Sequence, residues 1–350
     1  MEENKFKFPT EVVELPSKGL LYPEGHPLAE GKIEMKYMTA REEDILTNQN
    51  YIKQGVVIDK LLQSMLITKF DYNDLLIGDK DAIMLAARIL GYGKEYSFTY
   101  YPEYGDVEET VNLDLTTVKE KFLSEELIPE RGKNEFTFKL PNTGNVVTFK
   151  LLTHGDEQSI DREIQGLKKI DPKGNFEVTT RFRHMILSVN GDYDKKTIRD
   201  FIDYGLLAKD SRAFREYFGS VSPGIDLKYS YTFNNGVEED IVIPIGINFF
   251  GLTHEYRGNL FTQIHEILFY GQGGYDYETL YNMPIWLRKF TYNKILEHYE
   301  KVNSKNQTDT VEASINAMKS AGAVAKNKVN VPTYVTKASK KWRLLIFMIN

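Results

Sequence analysis

LPSKG, at residues 15–19, recurs as LPNTG at residues 140–144, and this recurrence decides how the chain is divided. In both copies an alternating segment follows and leads to a helix start, KIEMKYMTAREEDIL from Lys32 and VTFKLLTHGDEQSI from Val147. Alternation of apolar and polar side chains is typical of a half-buried strand. Each copy is therefore predicted to begin with strand, turn, strand and helix.

A capping-box spacing marks the helix start in both copies. Thr39 stands three residues before Glu42, and Thr153 stands three residues before Asp156. In a capping box each of the two side chains binds the exposed backbone N–H of the other residue. The shared spacing predicts a helix at the same place in both copies.

Two further matches follow in the same order. LLIGDKDA at residues 75–82 pairs with LLAKDSRA at residues 206–213, and EYSFTY at residues 95–100 pairs with KYSYTF at residues 228–233. Four matches in one order predict an internal duplication. Each copy is expected to contain strand, turn, strand, helix, helix and a closing hairpin.

Apolar residues at helical spacing predict the two helices of the first copy, with Asp79 as a candidate cap of the second helix. These residues are Val57, Leu61, Leu62 and Met65, then Ile83, Ala86, Ala87 and Leu90.

The chain is thus predicted to be an α+β protein with two tandem duplicated mixed α/β domains, residues 1–130 and 131–250. A C-terminal helical hairpin, residues 251–303, and a flexible basic tail, residues 304–350, are expected to follow. In the hairpin, Gly271 is placed to end the first helix, and the second helix is expected to end at about residue 301.

The tail is predicted to be disordered on its own. After Glu312 it has no acidic residue and carries seven Lys or Arg, and its basic run leads into Trp342 and Arg343. Such a segment can dock on an acidic partner, or it can simply be an unstructured terminus. The sequence leaves both interpretations open.

Composition excludes several classes of function. The chain has 350 residues, no cysteine and a net charge of −6, which argues against thiolate chemistry, cysteine-based metal sites and a whole-protein nucleic-acid binder. No apolar run reaches the length of a membrane span, and the first residues are not predicted to be a signal peptide. Neither a membrane nor a small-molecule substrate is expected as a partner.

No motif for catalysis, cofactor binding or metal binding is found. The six histidines form no metal-binding pattern, and His254 and His265, near one helical face, are expected to be structural. A hydrolase that uses scattered carboxylates and a DNA-binding protein that uses the basic tail are the weaker alternatives. No spacing supports general acid–base geometry.

The segment 269–292 is the most aromatic part of the chain. About half of its aromatic residues are expected in the core, but Tyr, Trp and Arg are also favoured as anchors of protein interfaces. The predicted interface residues, here and in the tail, are Tyr270, Tyr275, Tyr277, Tyr281, Trp286, Arg288, Trp342 and Arg343.

Two stretches carry a resemblance to a known family. ELPSKGLLYPEGHPLAEGKIEMKYMTAREEDILTNQNYIKQGVVIDKLLQSMLI and YGQGGYDYETLYNMPIWLRKF resemble the baseplate hub assembly proteins of T-even-like contractile-tailed phages, over roughly residues 8–300. The resemblance implies a non-enzymatic structural or assembly protein of the baseplate hub at the tail tip, which acts through protein–protein contacts and is assembled in the host cytoplasm. Its implied partners are other baseplate and hub proteins and the tape-measure protein. A transient chaperone of the tape-measure protein, absent from finished particles, is the alternative.

The chain departs from that family in its hairpins. Many relatives carry a Cys-Pro-x-Cys-Gly knuckle, where this chain has Tyr101-Pro102-Glu103-Tyr104-Gly105, and the second hairpin, at residues 232–236, also lacks ligands. The resemblance therefore implies zinc-ribbon-like hairpins that are degenerate and metal-free. Packing must hold such hairpins, because no metal contributes to their folding.

Overall fold

The computed structural model describes the backbone of residues 10–102, 108–128, 130–234, 236–252 and 256–320, with side chains except at residues 247 and 303–320. One compact unit covers residues 1–293 and a second covers residues 294–350. The described residues form a mixed α/β structure, as predicted, and the sheets are small. The domain boundaries at residues 130, 250 and 303 remain predictions.

All strand pairs in the described residues are antiparallel, in four two-stranded sheets and one three-stranded sheet, β6-β7-β8. The strands are β1 (Thr10–Glu14), β2 (Lys32–Lys36), β3 (Glu95–Tyr100), β4 (Glu109–Asp114), β5 (Lys119–Lys121), β6 (Phe136–Lys139), β7 (Val146–Phe149), β8 (Ile186–Val189), β9 (Gly224–Asp226), β10 (Lys228–Thr232) and β11 (Glu238–Val242).

The helices vary from one turn to ten. They are α1 (Ala40–Leu46), α2 (Gln49–Lys53), α3 (Val57–Met65), α4 (Ile77–Tyr92), α5 (His154–Ile170), α6 (Glu177–Met185), α7 (Lys195–Asp200), α8 (Ala208–Val221), α9 (Tyr256–Tyr270), α10 (Tyr277–Tyr281) and α11 (Ile285–Ser320).

Three local predictions for the first half are confirmed. β1 and β2 form a hairpin, and Ile33 and Met35 of β2 point into the core. Thr39 and Glu42 form the predicted capping box at the start of α1. The four residues that predicted α3 are all buried.

The predicted helix cap at Asp79 is wrong, because α4 begins two residues earlier, at Ile77. Asp79 instead lies inside the helix with its side chain fully buried. Its carboxylate accepts hydrogen bonds from Ser17 N (2.9 Å), Ser17 Oγ (2.7 Å) and the Tyr22 hydroxyl (2.7 Å). Asp79 therefore holds the LPSKG turn against α4.

Matching positions in the second half make matching contacts. Asp210, in α8, accepts hydrogen bonds from Asn142 N (2.8 Å), Asn142 Nδ2 (2.9 Å) and Thr143 N (3.1 Å), so it holds the LPNTG turn. Thr153 and Asp156 form the second capping box. Both halves therefore use one buried aspartate to join the turn to a helix, which supports the predicted duplication.

The two halves also differ. After α6 the chain forms β8, which pairs with β7, whereas after α3 only a single bridge joins Leu66 to Met35. The sequence did not predict β8. The closing hairpins β3–β4 and β10–β11 are confirmed, but residues 103–107 and Asn235 at their turns lie outside the described residues.

Strands and backbone contacts connect the halves. β5 of the first half pairs with β9 of the second, and Leu76 forms a bridge with Thr153. Gly78 permits this approach, because a Cβ at that position would overlap the carbonyl oxygen of Pro223. Buried residues from both halves belong to one hydrophobic cluster. The halves therefore share a core.

Three helices follow the second half, where a hairpin of two was predicted. Asp44 of α1 binds Arg257 near the start of α9 (Oδ1–Nη2 2.9 Å) and accepts a hydrogen bond from the Tyr281 hydroxyl at the end of α10 (2.9 Å). The short helix α10 therefore brings the chain back to the start of α9.

The direction of α11 also differs from a hairpin. Gln263 of α9 contacts Arg288 of α11, and one turn later Glu266 contacts Tyr292. The residue numbers of the contacting pairs thus increase along both helices, so α9 and α11 run in the same direction. In an antiparallel hairpin, one number would increase while the other decreased. The helix also continues past residue 301 to Ser320, since residues 302–320 contain no glycine or proline. The rest of the predicted tail lies outside the described residues.

A charged cluster lies between the halves. Lys80 Nζ is 2.6 Å from Asp59 Oδ1 and 3.2 Å from His154 Nδ1, and Asp59 Oδ2 is 3.5 Å from His154 Nε2. His154 is buried. Burial and the Lys80 charge lower the pKa of His154, so the imidazole stays neutral near neutral pH.

Replacing Asp79 with alanine should leave the Ser17 N–H and the Tyr22 hydroxyl without their acceptor. We expect the free energy of unfolding to fall by roughly 2–4 kcal/mol, measured by urea denaturation. Asp161→Ala, at an exposed position on α5, is the matched control and should change this free energy by less than about 1 kcal/mol. Equal losses in the two variants would contradict the assigned role of Asp79.

The pKa of His154 predicts a pH dependence. Because the folded chain holds His154 neutral, the unfolded chain binds more protons as the pH falls below about 6.5. The stability that depends on neutral His154 is complete above that pH and is lost below it. Between about pH 7.5 and about pH 5.5, the urea midpoint should therefore fall further in the native sequence than in His154→Gln. Parallel midpoints would exclude this role of His154.

Candidate protein-binding surface

Five large aromatic side chains lie exposed on α9, α10, α11 and the segment between α9 and α10. Their exposed fractions range from 37% to 71%, which is high for such residues. We call this set the aromatic surface; it comprises Phe269, Tyr275, Tyr277, Trp286 and Phe290.

The spacing of residues on α11 decides which of them reach solvent. Ile285, Arg288 and Thr291 are buried and recur every three residues, so they share the inner face of the helix. Trp286 and Phe290 are four residues apart on the outer face, with 56% and 53% of their surface exposed. The inner face fixes the helix, and this leaves the two rings outside.

Arg288 was predicted at a partner interface, and the structure corrects this. Its side chain is fully buried and pairs with Glu43 of α1, which is also fully buried. Arg288 Nε also donates to Gln263 Oε1 of α9 (3.0 Å). The guanidinium therefore joins α1, α9 and α11 inside the protein and is not available to a partner.

Tyrosine hydroxyls complete the contacts of the α1 carboxylates. The Tyr256 hydroxyl donates to Glu43 Oε1 (3.0 Å), and the Tyr281 hydroxyl donates to Asp44 Oδ2 (2.9 Å). Burial raises the pKa of Tyr256, and the charge of Glu43 adds to the effect. Burial also raises the pKa of Tyr281, together with its hydrogen bond to Asp44. Both hydroxyls therefore stay protonated and act as donors.

The other predicted interface residues have different locations. Tyr275 and Tyr277 are exposed, as is Trp286, whereas Tyr270 and Tyr281 are half-buried. The ring of Tyr281 stacks on Tyr277, with ring centres 5.6 Å apart. Trp342 and Arg343 lie outside the described residues. Partner binding by the exposed residues stays a prediction.

Two exposed aromatic residues were not among the predicted interface residues. Phe269 is 71% exposed and Phe290 is 53% exposed. The four-residue spacing between Trp286 and Phe290 was the available signal for Phe290, because it places both rings on one helical face. Nothing in the local sequence distinguishes Phe269 from its buried neighbour Ile267.

The aromatic surface is suited to binding another protein. Exposed aromatic rings provide a large contact area and lose little side-chain entropy when they are buried. The buried contacts of Glu43, Asp44 and Arg288 hold the surrounding helices in place. In the described part of the chain, no group of three or more His, Asp and Glu residues is arranged to bind a metal ion. No described helix has the length and apolar character needed to cross a bilayer.

Comparison with known proteins identifies one family. The model of a family described as T4 bacteriophage base plate protein matches residues 9–251. No curated protein and no solved structure matches the chain. The family match covers both halves and ends before α9, so the aromatic surface lies outside it.

The Arg288–Glu43 pair can be tested with a double-mutant cycle. Arg288→Met leaves a buried carboxylate without its cation and should lower the free energy of unfolding by about 3–5 kcal/mol. Adding Glu43→Leu should recover part of that loss, because an apolar pair replaces the ion pair. Urea denaturation measures both effects.

Arg257→Met is the matched control. Arg257 binds the neighbouring carboxylate Asp44 but is 43% exposed, so the loss should stay below about 1 kcal/mol. Strictly additive losses for Arg288→Met and Glu43→Leu would mean that the two side chains do not stabilise each other.

Proposed function

Because the chain belongs to the T4 bacteriophage base plate protein family, we propose that it works at the hub of the baseplate of a contractile phage tail, through protein–protein contacts. Family membership itself makes the chain a structural protein of a phage tail that contacts other tail proteins. The hub position and a role in tail assembly are the finer parts of the proposal.

The aromatic surface is the observation that carries the proposed mode of action. Four of its five rings lie on α9, α10 and α11, and the fifth, Tyr275, lies in the segment between α9 and α10. The Arg288–Glu43 pair joins α11 to α1, and the Tyr281–Asp44 hydrogen bond joins α10 to α1. A fixed aromatic surface loses little conformational freedom when a partner covers it, which favours tight binding. We expect hub and baseplate proteins, and the tape-measure protein, to be the partners, and we expect no enzymatic activity.

The two halves are proposed to be an internal duplication that forms a frame for this surface. The matched contacts of Asp79 and Asp210, and the two capping boxes at Thr39 and Thr153, support this view. The closing hairpins are proposed to be metal-free relatives of zinc ribbons. Packing of aromatic residues supports the first hairpin, where Tyr96 lies against Phe249 with ring centres 4.9 Å apart.

The alternative role is that of a transient chaperone of the tape-measure protein. Mass spectrometry of purified particles separates the two roles, together with capture of the tagged chain from infected cells and identification of bound tail proteins. A small fixed copy number in the particle supports the hub role. Absence from particles, with the tape-measure protein captured from cells, supports the chaperone role and overturns the hub role.

The aromatic surface can be tested in the phage. Trp286→Ala combined with Phe290→Ala should lower the yield of infectious particles by about tenfold or more, because each interface anchor can contribute about 2 kcal/mol to binding. Plaque titre is the measurement, and unchanged urea stability of the purified variant shows that the chain still folds.

The matched control removes two exposed aromatic residues elsewhere. Tyr193 and Tyr204 are 63% and 87% exposed on the second half, and their double alanine variant should keep a normal titre. If both double variants give normal titres, the aromatic surface does not bind an essential partner. If both lower the titre equally, the effect is not specific to this surface.

A further inference from the structure

A cleft of about 780 Å³ opens where the two halves meet. Its apolar wall includes Leu151, Leu152 and Phe218, and β5 and β9 form another side. Glu157 and Arg181 also line the cleft and pair with each other, with nitrogen–oxygen distances of 2.6 and 3.1 Å. The cleft therefore combines an apolar wall with charged side chains, and two of these, Glu157 and Arg181, pair with each other.

Asp81 of α4 is a carboxylate that lines this cleft and is mostly buried. Burial raises its pKa to about 6, although the Lys80 charge opposes the shift; Glu157 adds to it. Because burial is its main cause, the raised pKa of Asp81 indicates limited contact with water, as the raised pKa of Asp79 also does.

Lys80, whose charge acts on Asp81, and Arg181, which lines the cleft, are both bound to other carboxylates. Lys80 Nζ lies 2.6 Å from Asp59, and Arg181 binds Glu157 through two nitrogens. Among the residues that the structure describes, Asp81 has no hydrogen bond and no ion pair, in contrast to Asp79 two residues before it. The Asp81 carboxylate keeps some contact with water but is mostly removed from it, and a cation that reached it would stabilise its charged form.

The other charged groups of the cleft lie on its strand side. Lys119 and Lys228 are exposed, and Lys121 donates to the Gly219 carbonyl oxygen. Lys119 stands opposite Asp226 in the pairing of β5 with β9. Glu120, also on the strand side, is exposed, so Asp81 is the mostly buried carboxylate without a partner among the described residues that line the cleft.

We propose that this cleft binds a segment of another tail protein, with a Lys or Arg side chain that pairs with Asp81 and apolar neighbours that cover Leu151, Leu152 and Phe218. Charge complementarity favours this occupant: an unpaired carboxylate beside apolar area is complementary to a basic side chain flanked by apolar residues. This site lies apart from the aromatic surface, in the part of the chain that matches the family model.

Site-specific photocrosslinking of the full chain in infected cells tests the proposal. A benzoylphenylalanine at Lys119, on the exposed side of the cleft, should crosslink to a peptide of another tail protein that contains Lys or Arg beside apolar residues. The same probe at Lys168, on the exposed surface of α5, is the matched control. Sequencing of the crosslinked peptide by mass spectrometry identifies the occupant.

Two carboxylate variants then test the ion pair. Asp81→Asn should lower the crosslink yield at least fivefold, and replacement of the partner's basic residue by Met should lower it equally, with no further loss when both changes are combined. Asp161→Asn should leave the yield unchanged. The urea midpoint of purified Asp81→Asn should stay the same or rise, because the change removes an unpaired buried charge, so a lower yield would not reflect unfolding.

Three results would overturn the proposal. The first is a crosslinked peptide without a basic residue. The second is a yield that does not respond to Asp81→Asn. The third is crosslinking confined to peptides of this same chain, including its basic segment after residue 320, which would identify the chain itself or a second copy as the occupant.

Discussion

A carboxylate can be buried in a protein only when donors replace its water, and this constraint organises the chain. Asp79 and Asp210 each hold a proline-containing turn against a helix, one in each half. Glu43 holds α11 through Arg288 and α9 through the Tyr256 hydroxyl. Loss of any of these donors would expose a charge to an apolar interior, so each contact fixes the relative position of two elements.

The position of the aromatic surface follows from the same constraint. Glu43 binds Arg288 inside the protein and so fixes the rotation of α11 about its axis. Trp286 and Phe290, on the opposite face, are then directed to solvent. A protein that acts by binding others benefits from this arrangement, because the surface is already formed before the partner arrives. Arg288 of the buried ion pair and the two exposed rings thus lie on opposite faces of the same helix, α11.

The junction between the halves shows how the fold departs from two independent domains. The halves share one hydrophobic cluster and a small sheet, β5–β9. The cleft beside that sheet contains Asp81, for which the described chain provides no donor. Asp81 therefore differs from the fully buried carboxylates Asp79, Asp210 and Glu43, which all have donors, and this difference is the basis for proposing a basic partner at the cleft.

The sequence by itself determined local features, namely the capping boxes at Thr39 and Thr153 and the buried face of α3. These features depend on residues within a few positions of each other, so periodicity and spacing are sufficient to predict them. The sequence also located the aromatic residues after residue 268, but it did not show which of them are exposed to solvent.

Only the tertiary structure decided which of those side chains are buried. Arg288 was predicted at an interface because the sequence does not show its partner, Glu43, which is 245 positions away. Asp79 was predicted as a helix cap because its partner, Ser17, is 62 positions away. The strand β8 likewise depends on β7, far before it in the chain. Whether a charged side chain can be buried depends on the donors that folding brings near it. Those donors lie far away along the chain, so a local sequence pattern does not reveal them.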